Sequence, residues 1–271
     1  MSENYRGLSG QTVALVTAGA SGIGRTIAAA LAAQGCRIHV CDIAEDALAR
    51  FRSDFPGATA TLADVSKPSE VERLFAEVQR ATGRLDVLVN NAGIAGPTAP
   101  VESIGIADWD QTIAVDLSGH FYVTRLAVPM LKAAGGGSIV NISSNAGLYG
   151  CPLRSPYVAA KWALIGLTKT WAMELGPQRI RVNALCPGSV KGPRIDRVID
   201  AAAQELGVSP AEVRQSYLDQ SSLGVFVNAE DIAQMVLYLC SDLGASISGQ
   251  ALGIDGHTEN LSTNKKKAPT P

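Results

Sequence analysis

Residues 13–24 decide the fold, and they read Val13-Ala14-Leu15-Val16-Thr17-Ala18-Gly19-Ala20-Ser21-Gly22-Ile23-Gly24. The first four residues are a short apolar run of the kind that forms a buried strand. The glycines after it mark a tight turn, and the small residues from about 23 to 34 predict a helix. A strand that turns directly into a helix is typical of alternating α/β folds.

The same alternation continues along the chain. Further β-rich apolar runs lie at 37–41, 86–89, 138–142, 181–185 and 251–254. A polar helix is predicted near 45–54, and another begins near Pro68 with an apolar face formed by Val71, Leu74, Phe75 and Val78. We therefore predict an α/β fold, a doubly wound (Rossmann) parallel sheet with helices on both faces.

The composition is that of a globular chain without an obvious macromolecular partner. Of 271 residues, 46% are hydrophobic and 18% are charged, which excludes an intrinsically disordered protein. Lysine and arginine number 23 against 25 acids, so the formal net charge of −2 gives no electrostatic case for nucleic acid or an anionic membrane. The polar start shows no signal peptide, and no stretch is apolar enough to predict a membrane span.

The chain is expected to be one domain in a reducing compartment. Five scattered cysteines fit a reduced cytoplasm better than a disulfide framework, and three scattered histidines suggest no metal site. No linker divides residues 1–262, and residues 263–271 are predicted to be a disordered tail. About 40 residues, 189–228, are inserted where a strand–helix loop usually has ~2–6. We expect two short helices there, before Gly207 and after Pro210, forming a lid over a substrate site.

The glycine-rich turn predicts a dinucleotide site. Glycines let the backbone approach a pyrophosphate, and the start of the helix supplies unpaired N–H groups. Asp42 follows the second strand 18 residues after Gly24, where a carboxylate can accept hydrogen bonds from both ribose hydroxyls. A lone acid there is more often solvated, but the upstream glycines favour the ribose role. A 2′-phosphate would meet a like charge, and neither Arg25 nor Arg37 occupies an obvious phosphate position, so we predict NAD rather than NADP.

From these residues onward the sequence resembles the short-chain dehydrogenase/reductase family in its single-domain form, over roughly residues 8–257. Besides the glycine turn, the resemblance is carried by Asp64-Val65, Asn90-Asn91-Ala92-Gly93, Asn141-Ile142-Ser143-Ser144, Tyr157-Val158-Ala159-Ala160-Lys161, Pro187-Gly188 and Asp255-Gly256. It implies a doubly wound fold, NAD or NADP as cofactor and hydride transfer at an alcohol or ketone of a small molecule. It also implies a homodimer or homotetramer.

Tyr157 and Lys161 are four residues apart, so on a helix they share a face. A free phenol has a pKa of ~10 and is a poor base at neutral pH, but a neighbouring ammonium and a positively charged nicotinamide favour the phenolate. We therefore expect Tyr157 to exchange the proton of the reacting alcohol. Ser144, at a strand end, matches the family's catalytic serine, and its hydroxyl would hold the substrate oxygen. The adjacent Ser143 is expected to point away, because strand side chains alternate.

The resemblance also implies which residues would surround the cofactor. Within the glycine turn these are Gly19, Ser21, Gly22, Ile23 and Gly24. It assigns Asp64 and Val65 to the adenine, the segment Asn90-Asn91-Ala92-Gly93 to the adenosine ribose and Lys161 to the nicotinamide ribose. The carboxamide would meet Pro187, Gly188 and Val190. For Val65 and Ala92, a place in the core is an equally good interpretation.

Among the positions that depart from the family's pattern, two bear on the site. Ala18 stands where the family has the first glycine of the turn, and alanine disfavours a positive φ. The other two glycines remain, so binding is expected to survive. Asp116 stands where the family usually has an asparagine that kinks the helix and supports a water chain to the catalytic lysine. If Asp116 lies near Lys161, it would stabilise the ammonium and join the catalytic set, partly offsetting the pull on Tyr157; the equal alternative is a neutral replacement.

Four cations are expected around the substrate cleft: Arg154 on the loop before Tyr157, and Lys191, Arg194 and Arg197 at the start of the lid. They favour a substrate with an anionic group such as a carboxylate, phosphate or sulfonate. The candidate substrate residues are therefore Ser144, Arg154, Tyr157, Lys191 and Arg194. The alternative is a solvated helix start whose cations pair with the nearby Asp196 and Asp200.

These residues together predict an NAD-dependent oxidoreductase that acts on a secondary alcohol or ketone, such as a polar or anionic sugar, a polyol or a hydroxy acid. An alternative is an NAD-binding, redox-inactive protein that regulates or scaffolds, and the complete set of Ser144, Tyr157 and Lys161 argues against it. A sugar-nucleotide epimerase or dehydratase is disfavoured, because such relatives carry a longer substrate domain.

Overall fold

A computed structural model describes residues 5–261, and the predicted tail at 263–271 lies outside the described residues. The strands are β1 (Val13–Thr17), β2 (Arg37–Asp42), β3 (Thr59–Leu62), β4 (Val87–Asn90), β5 (Gly137–Ile142), β6 (Ile180–Pro187) and β7 (Ala251–Ile254). They form one parallel sheet in the order β3-β2-β1-β4-β5-β6-β7. Parallel neighbours require crossover connections, and helices supply them.

The helices are α1 (Gly22–Ala33), α2 (Glu45–Asp54), α3 (Pro68–Thr82), α4 (Ile106–Ile113), α5 (Gly119–Ala133), α6 (Ser155–Leu175), α7 (Pro193–Leu206), α8 (Pro210–Asp219) and α9 (Ala229–Cys240). They cover both faces of the sheet, so the predicted doubly wound Rossmann fold is confirmed. Among the helices of residues 5–261, none combines the length and apolar composition that a membrane crossing requires.

Alternate residues of β1 bury the two faces of the sheet. Ala14 and Val16 pack in a core shared with α1, α2 and α9. Val13 and Leu15 pack in a second core shared with α3, α5 and α6. Because both faces are covered, the strand is apolar without alternation, which is the pattern that made it recognisable in the sequence.

The order of the strands places a binding crevice beside β1. The chain runs outward from β1 to β3 on one side and from β4 onward on the other. Ligands of open α/β sheets bind at such a switch point, outside the carboxyl ends of the strands. The glycine turn follows β1 there, and an irregular stretch, hereafter segment 91–95, follows β4.

Two parts of the fold lie outside the predicted elements. β3 forms an edge of the sheet, and only Thr61 of its four residues is buried, so no apolar run marks it. α4 and α5 are joined by a π-helical turn at Ala114–Ser118 into one continuous helical run. A π-helical turn inserts an extra residue into a helix and is frequent at functional sites.

Segment 189–228, the proposed lid, holds α7 and α8 around a small apolar cluster of its own: Ile199, Ala202, Ala203, Val213 and Phe226. Its two ends are tied together by backbone hydrogen bonds. The N–H of Lys191 donates to the carbonyl of Val227, and the N–H of Val227 donates to the carbonyl of Ser189, both at 2.9 Å. The segment therefore leaves the carboxyl end of β6 and returns to a point close to where it began.

Candidate active site

Close packing and an uncapped helix start characterise the glycine turn. A Cβ at Gly19 would lie 2.6 Å from Val40 Cγ1, and a Cβ at Gly24 would overlap the carbonyl of Ala18, so neither position admits a side chain. Gly22 has a φ of +52°, and the space where its Cβ would stand is open. Helix α1 begins after Ser21 without a side-chain cap, which leaves N–H groups of its first turn for an anion.

Ala18 adopts the positive φ that alanine disfavours, at +47°. That conformation costs a residue with a Cβ about 1–2 kcal/mol. It is held by its surroundings, because the side-chain amide of Asn91 donates to the carbonyls of Thr17 at 3.0 Å and Ala18 at 3.2 Å. Asn91 thereby ties the glycine turn to segment 91–95.

Asp42 stands beside the glycine turn, with 8% of its surface exposed. Its carboxylate accepts hydrogen bonds from the N–H groups of Ala20 (3.2 Å), Ile43 (2.8 Å) and Ala44 (3.3 Å). Of the two arginines that could have met a 2′-phosphate, Arg25 is paired with Asp54 at 2.8 Å, and Arg37 donates to the carbonyl of Ala81 at 3.3 Å. The turn therefore presents a fixed carboxylate to the crevice.

The two residues assigned to the adenine have partners of their own. The carboxylate of Asp64 accepts hydrogen bonds from the N–H (2.9 Å) and hydroxyl (2.7 Å) of Ser66. Val65 is 5% exposed and packs in the core, where a Cβ at Gly119 would lie 2.8 Å from its Cγ2. At the carboxamide end, Gly188 donates to the carbonyl of Ile254 (3.0 Å), and Val190 pairs with Val227.

Tyr157 and Lys161 lie on one face near the start of α6, where Pro156 occupies the first turn. The Nζ atom of Lys161 lies 5.5 Å from the centroid of the Tyr157 ring and donates to the carbonyl of Ile142 at 3.2 Å. Ser144 accepts a hydrogen bond from the N–H of Ala146 (3.1 Å), and its hydroxyl makes a longer contact of 3.3 Å with Asn145 Oδ1.

Ser143 is engaged on the far side of the strand end. Its hydroxyl donates to the main-chain carbonyl of Lys161 at 2.9 Å. The Ser143 side chain thus connects the end of β5 to α6. Of the two serines, Ser144 has the more weakly hydrogen-bonded hydroxyl.

Asp116 lies against Lys161. Its Oδ2 atom is 3.5 Å from Lys161 Nζ, and the two side chains are 0% and 4% exposed. Its Oδ1 atom accepts a hydrogen bond of 2.7 Å from the N–H of Ile94. Gly93 packs directly on this ion pair, because a Cβ there would lie 3.3 Å from Nζ and 3.4 Å from both carboxylate oxygens.

The sequence interpretation did not include His120 in the site. Its ring is buried, and Nε2 lies 2.8 Å from the carbonyl oxygen of Ala92. Burial and the charge of Lys161 lower the pKa of His120 to about 3, so the ring is neutral at physiological pH. A carbonyl only accepts, so the ring hydrogen is on Nε2. The one available signal was its position four residues after Asp116, on the same side of a helix.

The candidate substrate cations are separated by the fold into two groups. Arg154 and Arg194 lie around Tyr157, with their guanidinium carbons 4.8 and 6.0 Å from the ring centroid. Lys191 is exposed and donates to Asn228 Oδ1 at 2.9 Å, at the base of the lid. Asp196 is paired with Arg214 on the next helix rather than with these cations.

Arg154 is unusual because it is a guanidinium with little access to water. It is 7% exposed, its Nη2 atom donates to the carbonyl of Ala95 at 2.7 Å, and its Nε atom has no hydrogen-bond partner within residues 5–261. Arg194 is exposed and donates to the carbonyl of Gly93 at 3.1 Å. A buried cation with a free donor is suited to an anionic ligand.

Known proteins share much of this sequence. A family model described as enoyl-(acyl carrier protein) reductase matches residues 17–257. The chain is 37% identical over 248 residues to the 3-oxoacyl-(acyl-carrier-protein) reductase FabG of Thermotoga maritima, covering 90% of this chain and 96% of that protein. It is 36% identical over 250 residues to D-beta-hydroxybutyrate dehydrogenase of Rhizobium meliloti, with the same two coverages of 90% and 96%.

Solved structures agree with the fold. A structure of NAD⁺-bound xylitol dehydrogenase matches with a TM-score of 0.88 and 29% identity, covering 93% of this chain and 100% of that one. A variant of actinorhodin polyketide ketoreductase with NADPH matches with a TM-score of 0.86 and 34% identity, covering 90% and 96%.

The chain therefore belongs to the short-chain dehydrogenase/reductase family, whose members bind a nicotinamide cofactor and act on small molecules. It is an oxidoreductase of secondary alcohols or ketones, as its relatives are. These relatives are named as reductases or dehydrogenases, so they do not support the alternative of a redox-inactive regulator or scaffold.

The contact of Asp116 with Lys161 predicts the effect of removing one charge. In Asp116→Asn the ammonium loses its carboxylate, so its field at Tyr157 favours the phenolate more strongly. We expect the pH at which alcohol oxidation reaches half its maximal rate to fall by about half a pH unit or more. The measurement is a pH–rate profile, with the exposed Asp110→Asn as control. An unchanged profile would mean that the aspartate is a neutral replacement.

Proposed function

We propose that the protein is an NAD-dependent dehydrogenase or reductase whose substrate is a secondary alcohol or ketone bearing a negative charge or several hydroxyls. The observation that carries this proposal is the surroundings of Tyr157. Lys161 lies 5.5 Å from the ring on one side, and the guanidinium groups of Arg154 and Arg194 lie at 4.8 and 6.0 Å. The Lys161 ammonium is thus close enough to stabilise the Tyr157 phenolate. The two arginines could bind an anionic group of a substrate placed beside the same ring.

The proposed chemistry divides among three side chains. When bound, the nicotinamide supplies the carbon that accepts or gives up the hydride. In the oxidative direction the phenolate oxygen of Tyr157 accepts the proton of the substrate hydroxyl. The Lys161 ammonium stabilises that phenolate. The Ser144 hydroxyl donates to the reacting oxygen, and its 3.3 Å contact with Asn145 is long enough to be exchanged at little cost.

Loss of the phenolic hydroxyl is the direct test of this assignment. Tyr157→Phe removes the proton acceptor and keeps the ring, so kcat should fall ~10²–10⁴-fold. NADH affinity should stay within about twofold of the wild type, because the ring still fills its place. Tyr238→Phe, on the exposed side of α9, is the matched control. A residual rate above a tenth of wild type would remove Tyr157 as the acid/base.

The choice of NAD over NADP rests on Asp42. Its carboxylate is fixed by three backbone N–H groups beside the glycine turn, where it can accept hydrogen bonds from ribose hydroxyls. The same charge would repel a 2′-phosphate. The related structures include one bound to NAD⁺ and one bound to NADPH, so this residue carries the argument.

Replacing that carboxylate should relax the preference between the two cofactors. Asp42→Ala removes the ribose contact and the repulsion, so we expect the ratio of kcat/KM values for NAD and NADP to fall at least about tenfold, equivalent to about 1.4 kcal/mol. Asp46→Ala, an exposed acid on α2 paired with Arg50, should leave the ratio unchanged. Equal turnover of both cofactors by the wild type would contradict the proposal.

The substrate class follows from the cation pair. Arg154 has an unpaired donor, and Arg194 reaches from the first turn of the lid to the same ring. Lys191 donates to Asn228 at the base of the lid and is not part of this pair. Among the relatives, one is named for a hydroxy acid and another for a polyol. We therefore favour small hydroxy acids and phosphorylated or sulfonated alcohols, followed by polyols and sugars.

The two arginines should control KM more than cofactor binding. A desolvated charge-assisted contact contributes roughly 1.5–3 kcal/mol, so Arg154→Ala should raise KM for the substrate by one to two orders of magnitude. Arg194→Ala should raise KM by less, because this arginine is exposed and its charge is screened by water. The substrate is first found by following NADH absorbance over hydroxy acids, polyols, sugars and their charged derivatives. Arg80→Ala, an exposed cation in the last turn of α3, is the control. Wild-type KM in both variants, or an uncharged apolar ketone as best substrate, would refute the anion site.

We also infer a homodimer or homotetramer in the cytoplasm. The outer face of α5 and α6 exposes Phe121, Trp162 and Met173, which are 46%, 50% and 82% exposed. A cavity of about 580 Å³ on this face is lined by Leu117, Ser118, Phe121, Tyr122, Ala163, Gly166 and Leu167. Apolar patches of this kind mark contacts between proteins. The five cysteines are free, which fits a reducing compartment.

A further inference from the structure

Segment 91–95 is held by side chains rather than by strand or helix partners. The N–H groups of Asn91 and Ala92 donate to Thr17 Oγ1 at 2.9 and 3.0 Å. Four further side chains, described above, hydrogen-bond to its backbone. His120, Arg194 and Arg154 donate to the carbonyls of Ala92, Gly93 and Ala95, and Asp116 accepts from the N–H of Ile94. The conformation of segment 91–95 therefore depends on side chains that belong to other parts of the chain.

His120 differs from the other three because, among the described residues, its side chain makes no hydrogen bond or ion pair besides the one to Ala92. Asp116 also meets Lys161, and both arginines lie around Tyr157. The imidazole makes one hydrogen bond, through Nε2, and its Nδ1 atom has no partner within the described residues. The hydrogen bond to Ala92 is what distinguishes a histidine at this position.

The position of Ala92 bears directly on the ion pair. The next residue, Gly93, packs so closely that an added Cβ would lie 3.3 Å from Lys161 Nζ and 3.4 Å from Asp116. Because the N–H of Ile94 also donates to Asp116 Oδ1, a movement of the segment would disturb the surroundings of this pair. Without the donor from His120, the buried carbonyl of Ala92 would be left unpaired, which favours such a movement.

We infer that His120 is a positioning residue, which holds the carbonyl of Ala92 so that segment 91–95 keeps the shape that receives the adenosine ribose and rests on the Lys161–Asp116 pair. This inference rests on the proposed function in one respect, which is that the ligand received by segment 91–95 is NAD. It requires a neutral ring with its hydrogen on Nε2. His120 itself touches neither substrate nor cofactor in this assignment.

The test compares three variants of the full-length protein. His120→Leu removes the donor and keeps a buried side chain, whereas His120→Gln replaces the ring by an amide that can still donate. Val123→Ala removes buried apolar contacts one turn further along α5, so it lowers stability without removing a hydrogen bond. NAD binding is measured by titration calorimetry, and amide hydrogen exchange of a peptide covering 91–95 is measured without ligand.

We expect His120→Leu to weaken NAD binding at least fivefold and to speed exchange of the 91–95 peptide at least tenfold. His120→Gln should restore both values to within twofold, and Val123→Ala should leave both unchanged while lowering Tm. Wild-type values in His120→Leu, or the same losses in Val123→Ala, would overturn the inference. If His120→Leu does not fold, ¹⁵N NMR of the wild-type imidazole decides, because a hydrogen on Nδ1 would overturn it equally.

The two failures are distinguishable. Failure of the proposed cofactor would appear as a wild-type protein that does not bind NAD, and the exchange measurement would still report on His120. Failure of the His120 inference would appear as a wild-type protein that binds NAD and a His120→Leu variant that binds it equally well.

Discussion

The buried contact between the Lys161 ammonium and the Asp116 carboxylate is the interaction on which the rest of the site depends. A buried ammonium is tolerated only with a counter-charge and hydrogen-bond acceptors, and here the carboxylate and the Ile142 carbonyl supply both. The contact joins α6, the end of β5 and the π-helical turn. Because segment 91–95 packs on the same pair, the phenol, its lysine and the backbone beside the cofactor crevice are placed by one cluster of charges.

Local features could be predicted from the sequence. The strand at 13–17 and its glycine turn stand out because a strand buried on both faces must be apolar and because a close approach of backbones excludes side chains. Tyr157 and Lys161 could be placed on one helix face from a spacing of four residues. The two short helices of the lid were visible from Gly207 and Pro210, which end one helix and begin the other.

Features that depend on contacts distant in sequence could not be predicted. β3 carries almost no apolar signal because it is an edge strand, and its existence depends on pairing with β2. His120 meets Ala92 across 28 residues, and Arg154 meets Ala95 across 59, so neither contact leaves a pattern in the neighbouring residues. The positive φ of Ala18 runs against the residue's own preference and follows from the packing around it. The candidate residues of the site could therefore be proposed from the sequence, whereas the contacts that hold them in place could not be predicted.

The left-handed alanine has a consequence for how a nucleotide would be received. Ala18 is kept at a φ of +47° by Asn91 and by the bare backbone of Gly24, at a cost of about 1–2 kcal/mol that folding offsets whether or not a ligand is present. A glycine at position 18 would lose many backbone conformations when the nucleotide binds. The methyl group of Ala18 restricts the backbone of the turn to few conformations before binding. The glycine turn is thus preorganised, and nucleotide binding loses little free energy in ordering it.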